Sequence, residues 1–122
     1  MKAITEQGKT FAGSSASHTY KKQKIQKEET MKQEQLRKLC GIIEHYGVDI
    51  QKDIAIEECS ELIKAICKYK RTLDHVEDIV DEIADVEIML NQLKIIFDCF
   101  GGVEERIDFK IKRQLERISN KQ

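Results

Sequence analysis

The sequence contains no proline and no tryptophan, and only 6 of its 122 residues are glycine. Proline breaks helices by removing a backbone hydrogen bond, and glycine weakens them, so their scarcity leaves helix available along most of the chain. Glu, Lys, Ile and Leu are abundant, and these residues lose little rotamer freedom in a helix or pack well there. The composition therefore predicts an all-α protein.

The chain also lacks a strong excess of charge of either sign. Lys and Arg together number 21 and Asp and Glu 22, which leaves a net charge of -1. Domains that bind nucleic acid usually carry a basic field, so this balance argues against nucleic acid as a partner. The length is enough for one ordinary domain and too short for two.

Membrane and disulfide signals are missing as well. The N-terminus has no apolar segment of a signal peptide, and no stretch approaches the roughly 18 apolar residues of a membrane span. The four cysteines form no CxxC and no zinc-type spacing: Cys40, Cys59, Cys67 and Cys99. They fall inside apolar helical patterns, which predicts reduced, packed cysteines in a soluble, cytoplasmic protein without membrane contact.

Two regions of the chain differ in their apolar pattern. Residues 1–29 are polar, and they predict a mostly disordered tail because so little apolar surface cannot offset chain entropy. Residues 30–122 predict an antiparallel four-helix arrangement with short connections. Capping residues mark three helix starts: Thr30, Asp49 and Asp74. Glycines mark two helix ends, at Gly47 and at 101–102. The expected helices cover about 30–46, 49–71, 74–100 and 103–119.

A carboxylate falls inside the apolar face of each of the two central helices. When helix 2 is projected at about 100° per residue, Glu58 lies among its apolar residues and Glu61 lies at their edge. In helix 3, Glu82 lies inside the apolar face and Asp85 lies at its edge. Residues three apart share one helix face, so each helix presents one inward acid and one flanking acid.

The numbering places these acids at matching levels. Residues 61 and 82 are equally far from the predicted turn between helices 2 and 3, and so are residues 58 and 85. An antiparallel pair of helices packed roughly 8–10 Å apart brings such side chains within reach of one shared ion.

Converging carboxylates are costly, because like charges repel and each ion loses hydration. Either some of them are protonated, or basic residues neutralise them, or hard cations do. Mg²⁺ prefers oxygen ligands, so it suits this set. The alternative is that all four acids are ordinary surface residues on imperfectly projected helices.

The segments that carry these acids resemble a known pair of motifs. "EECSE" (57–61) and "EIAD" (82–85) resemble the EExxE…ExxD signature of MazG-like all-α nucleoside triphosphate pyrophosphohydrolases. The flanks "GVDIQKDIAIEECSELIKAICKYKR" and "VDEIADVEIMLNQLKIIF" are similar to the small single-domain versions of bacteria and phages. The resemblance covers roughly residues 34–118. It implies hydrolysis of a (deoxy)nucleoside triphosphate between its α and β phosphates, which gives a monophosphate and pyrophosphate.

The resemblance also implies roles for individual residues. Glu58, Glu61, Glu82 and Asp85 would bind Mg²⁺, with Mn²⁺ as an alternative. Glu57 and Glu58 would take part in catalysis, Glu57 by orienting or deprotonating the attacking water. Members of the family associate, and a core drawn from about 90 structured residues is thin. We therefore expect a dimer or a higher homo-oligomer, such as a tetramer, in which a neighbouring chain helps to enclose the base.

Phosphate binding must come from individual cations, because the sequence has no GxxxxGK[ST] loop. Four basic residues of helices 2 and 4 are candidates: Lys64, Lys68, Lys110 and Arg113. Without tryptophan, stacking on a base would fall to other rings: His45, Tyr46, Tyr69 or Phe97.

Other classes fit parts of the pattern. A non-catalytic helical interaction module would dimerise or bind a partner helix, and its acids would only confer solubility. A di-iron carboxylate bundle needs Glu-x-x-His on two helices, and neither His45 nor His75 has a Glu three residues before it. Within the enzyme class, a phosphoribosyl-ATP pyrophosphohydrolase is the alternative.

Overall fold

Four α-helices make up nearly all of residues 31–120, the part of the chain that the computed structural model describes. Their bounds are α1 Gln33–Tyr46, α2 Val48–Thr72, α3 Val76–Phe97 and α4 Phe100–Asn120. No strand occurs in this part of the chain, which confirms the predicted all-α class. The predicted tail 1–29 and the predicted helix start at Thr30 lie outside the described residues. No helix between residues 31 and 120 has both the length and the apolar character that a membrane span requires.

Two of the predicted helix caps are wrong by one or two residues. The N-cap of α2 is Gly47, whose φ of 98° lies in a region that glycine adopts without strain, and Asp49 lies in the first turn. The N-cap of α3 is His75, with a φ of 72°. The Asp74 carboxylate accepts a hydrogen bond from the backbone N–H of His75 at 2.7 Å, so it stabilises the turn instead of capping the helix.

The break between α3 and α4 comes earlier than the predicted stop at the glycine pair. Asp98 adopts a left-handed conformation with a φ of 52°, and its backbone N–H donates to the Ile95 carbonyl oxygen at 3.2 Å. This is the hydrogen-bonded form of a left-handed helix end. The glycines at 101 and 102 lie in the first turn of α4 instead. A helix end at an aspartate is harder to predict than one at a glycine, because few non-glycine residues take this conformation.

The core is small and lies where α1, α2 and α3 meet. The most extensive contact joins α2 to α3, and α1 contacts both. Between residues 31 and 120, six apolar side chains are buried: Leu39, Ile43, Ala55, Ala65, Val86 and Met89. Two of them are alanines of α2, whose small side chains allow a neighbouring helix to approach closely.

The last helix, α4, contributes no residue to this core. None of its side chains is buried, and among the described helices it contacts only α3. Its apolar residues recur every three or four positions along one largely exposed face: Phe100, Val103, Ile107, Ile111, Leu115 and Ile118. Such a face normally packs against another element. A bundle of four packed helices is therefore not completed by residues 31–120 of a single chain.

Apolar side chains are exposed on the central helices too. Ile56 of α2 is 70% exposed and Phe97 of α3 is 60% exposed, and several other isoleucines and valines of both helices are also open to solvent. Exposed apolar residues in such number on packed helices are typical of a surface that contacts another molecule.

The prediction that the cysteines are packed in the interior is wrong. All four thiols are free, but three are exposed and the fourth is only partly buried: Cys40, Cys59, Cys67 and Cys99, respectively. They lie within apolar helical patterns as expected. Much of that apolar surface is itself exposed, and the thiols are exposed with it.

Candidate metal and phosphate site

Three carboxylates from α2 and α3 converge on one point. Glu58 of α2 and Glu82 and Asp85 of α3 each place one oxygen within 4.8 Å of the others. Glu82 and Asp85 are three residues apart, so they share one face of α3. The extensive packing of α2 on α3 brings Glu58 to that face. We call these three residues the carboxylate cluster.

The environment of the cluster disfavours negative charge. Loss of hydration is the largest cause that raises the pKa of Glu58, and the charges of Asp85 and Glu82 raise it further. The pKa of Glu82 is raised first by desolvation and then by Asp85 and Glu61. In addition, the Glu82 Oε1 atom is shielded from solvent and has no hydrogen-bond partner among the described residues. An acceptor without a donor is costly, and a cation among these oxygens would remove that cost.

The donor set suits a hard divalent cation. Mg²⁺ and Mn²⁺ favour carboxylate oxygens, whereas protein zinc sites are usually built with histidine or cysteine. The cluster contains three carboxylates and neither of those residue types. The orphaned oxygen of Glu82 adds an acceptor that already lacks a partner. These residues therefore fit the cation that the sequence predicts.

The fourth predicted acid, Glu61, lies beside the cluster. It is half-buried, and its Oε1 atom lies 3.7 Å from the Lys64 ammonium. Together with Glu82 it lines the adjacent cavity. After desolvation, its charge is one of those that raise the pKa of Glu58 and Glu82. Glu61 is thus close enough to act electrostatically on the cluster without sharing its central point.

Glu57 lies on the exposed side of α2, next to Glu58 in sequence. Its carbonyl oxygen accepts a hydrogen bond from the Ser60 hydroxyl at 2.7 Å, a contact within the helix. Its carboxylate is one of the smaller causes, after desolvation, that raise the pKa of Glu58. The structure places Glu57 near the cluster, and its catalytic role stays a prediction.

A cavity of about 390 Å³ opens next to the carboxylates. This volume lies within the range of small-molecule sites in proteins. Asp78 and Glu82 line it from α3, and Glu61 lines it from α2. The remaining polar lining comes from three basic residues of α2: Lys64, Lys68 and Arg71. The first two are predicted phosphate-binding residues, whereas Arg71 is not among those predicted from the sequence.

The two lysines of the cavity form long ion pairs. The Lys68 Nζ atom lies 3.5 Å from Asp78 Oδ2, and the Lys64 Nζ atom lies 3.7 Å from Glu61 Oε1. All four side chains are partly exposed, and partly exposed pairs at such distances contribute little to stability. Turning towards an anion in the cavity would therefore cost either ammonium group little free energy.

The other two predicted cations are not brought to this cavity. Lys110 and Arg113 belong to α4, are exposed and line no part of it. The Arg113 guanidinium lies over the Phe109 ring, 5.5 Å from its centroid. Any role of Lys110 or Arg113 at the carboxylate cluster would need a neighbouring chain.

The rings considered for base stacking also lie outside the cavity lining: His45, Tyr46, Tyr69 and Phe97. The His45 and Tyr46 rings contact each other edge to face, with centroids 4.6 Å apart. The structure therefore offers no stacking ring inside the cavity formed by one chain's described residues.

Two buried amides are not among the residues predicted from the sequence. Gln92 of α3 is 1% exposed and its Oε1 atom has no partner within residues 31–120, while Gln51 of α2 is 3% exposed. Each lies seven residues from an acid of the cluster and so shares its helix face, Gln51 with Glu58 and Gln92 with Asp85. Residues 51 and 92 are also equally far from the turn. The numbering rule that matches the acids would therefore also have matched these two amides.

Comparison with known proteins adds nothing to this geometry. Neither a family model, nor a curated protein, nor a solved structure matches the chain. Membership of the MazG-like family therefore stays a prediction that rests on the two acidic motifs.

Proposed function

We propose that this protein is a Mg²⁺-dependent hydrolase of the MazG-like type that cleaves (deoxy)nucleoside triphosphates between the α and β phosphates. The observation that carries the proposal is the carboxylate cluster beside a cavity lined by Lys64 and Lys68. A nucleotide with its divalent cation presents positive and negative charge side by side, so its site needs acids next to bases. The EExxE and ExxD motifs point to the same acids on separate grounds.

The proposal includes a MazG-like arrangement in which α2 and α3 run antiparallel. Lys68, near the end of α2, contacts Asp78, near the start of α3. Farther from the turn on both helices, Glu58 lies with Asp85. Contacts between residues at similar distances from a turn are typical of an antiparallel helix pair and support this part of the proposal.

In this site, each group has a stated task. Glu58, Glu82 and Asp85 would hold the cation, and Glu61 would join them from the edge of the cluster. Bound Mg²⁺ would neutralise phosphate charge and make a nearby water more acidic. Glu57 is exposed beside Glu58, where it could orient that water or take its proton. Lys64 and Lys68 would bind phosphate oxygens and stabilise the charge that develops on the leaving pyrophosphate.

The proposed active form is at least a dimer. The apolar face of α4 and the exposed apolar residues of α2 and α3 support it, since neither surface is covered by the described part of the chain. A neighbouring chain could also supply the missing stacking ring and bring Lys110 or Arg113 to the phosphates. A monomer in sedimentation that retains full activity would contradict this part of the proposal.

The main alternative is a non-catalytic interaction module. The exposed face of α4 favours it as much as it favours an oligomeric enzyme. The carboxylate cluster distinguishes the two, because clustered acids with a raised pKa weaken a module without serving its binding. A phosphoribosyl-ATP pyrophosphohydrolase would share the cluster and differ only in its substrate.

A panel of nucleotides incubated with Mg²⁺, with both products identified, tests the proposal. We expect pyrophosphate and a nucleoside monophosphate from the wild type and little product from Glu58→Gln. The matched control is Glu44→Gln, which neutralises an exposed acid of α1 outside the cavity. Failure of the wild type to cleave any triphosphate would rule out the enzyme, and equal activity of both variants would rule out Glu58 as a residue of its active site. Release of pyrophosphate from phosphoribosyl-ATP alone would establish that alternative.

A further inference from the structure

Three basic residues follow one another along the α2 wall of the cavity. Lys64, Lys68 and Arg71 are separated by four and then three residues, so they share one face of the helix, and all three line the cavity. Glu61 precedes them by one turn on the same face and borders the carboxylate cluster. The α2 side of the cavity thus changes from acidic to basic in the direction of the α2–α3 turn, while Asp78 and Glu82 line its α3 side.

The reach of this row suits a chain of phosphates. At 1.5 Å per residue, Arg71 lies about 10 Å farther along α2 than Lys64. Helical side chains lean towards the N-terminus of their helix, so Lys68 and Arg71 lean back towards the acids. Arg71 does so, since its Nη1 atom donates to the carbonyl oxygen of Cys67, one turn earlier, at 3.5 Å. A phosphate chain that begins at the carboxylate cluster would meet Lys64 first and Arg71 last.

Arg71 is also the one basic residue of the row that contacts no carboxylate within residues 31–120. Lys64 and Lys68 each contact a carboxylate, whereas Arg71 forms no ion pair within residues 31–120. Its single long hydrogen bond to a backbone carbonyl uses one of five guanidinium donors. A guanidinium binds phosphate oxygens through two parallel hydrogen bonds, a geometry that lysine does not offer.

We propose that Arg71 binds the terminal phosphate of a nucleoside triphosphate and thereby selects triphosphates over diphosphates. This inference rests on the proposed function, because the carboxylate cluster fixes which end of the phosphate chain is cleaved. Lys64 and Lys68 contact the phosphates in between, and Asp78 positions Lys68 across the cavity. The nucleoside then lies on the other side of the carboxylates, towards the N-terminal half of α2.

The ordinary structural role of Arg71 is to stabilise the C-terminal turn of α2 by donating to its free carbonyl groups. Lys70 offers a matched control for that role. It lies in the same last turn, carries the same charge, is exposed and does not line the cavity. A comparison of Arg71→Gln with Lys70→Gln therefore separates phosphate binding from helix capping.

The experiment has a kinetic arm and a binding arm. The kinetic arm measures kcat/KM for the triphosphate and the diphosphate of one nucleoside in the wild type, Arg71→Gln, Arg71→Lys and Lys70→Gln. The binding arm measures calorimetric affinity for inorganic tripolyphosphate and pyrophosphate in Mg²⁺. For Arg71→Gln we expect a loss of about tenfold to hundredfold with triphosphate and tripolyphosphate, and little change with diphosphate and pyrophosphate. Arg71→Lys should recover part of the loss, and Lys70→Gln should resemble the wild type.

The outcomes separate this inference from the proposed function. If the wild type cleaves triphosphates but Arg71→Gln loses diphosphate and triphosphate activity alike, or matches Lys70→Gln, the role of Arg71 is wrong and the enzyme stands. If the wild type cleaves no nucleotide, the proposed function is wrong, and the affinities for tripolyphosphate then test the Arg71 contact by themselves. Equal tripolyphosphate affinity of Arg71→Gln and Lys70→Gln would then overturn the Arg71 contact. Circular dichroism should show unchanged helix in all variants, because both residues are exposed.

Discussion

The α2–α3 pair and α4 use polar and apolar residues in opposite ways. In the pair, carboxylates are drawn into the contact between helices, where Glu58 and Glu82 have a raised pKa because of desolvation and their acidic neighbours. In α4, the charged residues remain in solvent, and the apolar face has no packing partner within residues 31–120. One region concentrates acids whose charge a cation would offset, and the other presents an apolar face that a second chain could cover.

The two regions therefore leave different groups without a partner among the described residues, carboxylates in one and apolar side chains in the other. Both arrangements cost stability in an isolated chain, and natural proteins keep such costs mainly where function requires them. Under the proposed function the carboxylates hold a small ligand, because a cation would have to fit between oxygens within 4.8 Å of one another. The apolar face of α4 is long and continuous, which suits a helix or a second protein surface. Variants should therefore damage one property and spare the other.

The largest expected effect comes from Glu82→Gln. Loss of this charge removes a cation ligand at the centre of the cluster, so we expect Mg²⁺-dependent turnover to fall by at least about a hundredfold. Assembly should not change. The matched control is Asp81→Asn, which removes the charge of the neighbouring exposed residue. Steady-state kinetics measure turnover, and sedimentation measures assembly. Equal turnover of the two variants would contradict the role of Glu82 as a cation ligand.

The reverse effect is expected for Ile111→Glu in α4. A charge in the middle of the apolar face should weaken self-association by about tenfold to hundredfold, because the carboxylate would have to be desolvated at the contact. Ser119→Glu adds the same charge to α4 outside that face and serves as the control. Sedimentation at several protein concentrations gives the dissociation constants. An unchanged constant for Ile111→Glu would show that α4 is not the contact surface.

A smaller effect should appear in the pH dependence of the metal-free protein. The raised pKa of Glu58 and Glu82 means that the folded state binds more protons than the unfolded state above the ordinary value of 4.5. Stability is therefore lost as the pH rises from that value through the raised pKa. Glu58→Gln cannot ionise, so its unfolding temperature should match that of the wild type below this window, exceed it increasingly through the window, and exceed it most above the window.

Thermal unfolding in a chelator, on both sides of the window, measures that difference. Glu44→Gln, which lies outside the cluster, should follow the wild type at every pH. A Glu58→Gln variant that is less stable than the wild type above the window would show that the acids are not strained in the absence of metal.

The smallest effect concerns the buried amide of Gln92. Its Oε1 atom has no partner within residues 31–120, so Gln92→Met, of similar size, should raise the free energy of unfolding by about 1 kcal/mol. Turnover should not change, since Gln92 does not line the cavity. Urea unfolding measures the stability. A clear loss of stability would mean that the amide has a role in this core.

The helices and the meeting of the acids could be predicted because both depend on the helical period. Glu58 and Glu82 fall inside apolar faces, and their neighbours in the cluster follow from residue spacing and distance from the turn. The helix ends could not be predicted as well. A left-handed residue at Asp98 or His75 is chosen by the backbone around it and leaves little trace in composition.

Other features depend on packing between elements. The cysteines follow apolar helix faces, but neighbouring helices decide whether those faces are buried, and three of the four cysteines are exposed. Gln51 and Gln92 are polar residues inside an apolar pattern. In the sequence, only their equal distance from the turn between α2 and α3 distinguishes them from surface residues. Arg71 becomes a candidate only when the cavity beside it is known.

Calorimetric titration of the metal-free protein with Mg²⁺ and with Mn²⁺, in the absence of nucleotide, tests the cation site most directly. We expect saturable binding by the wild type and by Asp81→Asn, with affinity lower by at least about tenfold in Glu82→Gln. Binding that is absent from the wild type, or equal in all three proteins, would contradict a cation site formed by Glu58, Glu82 and Asp85.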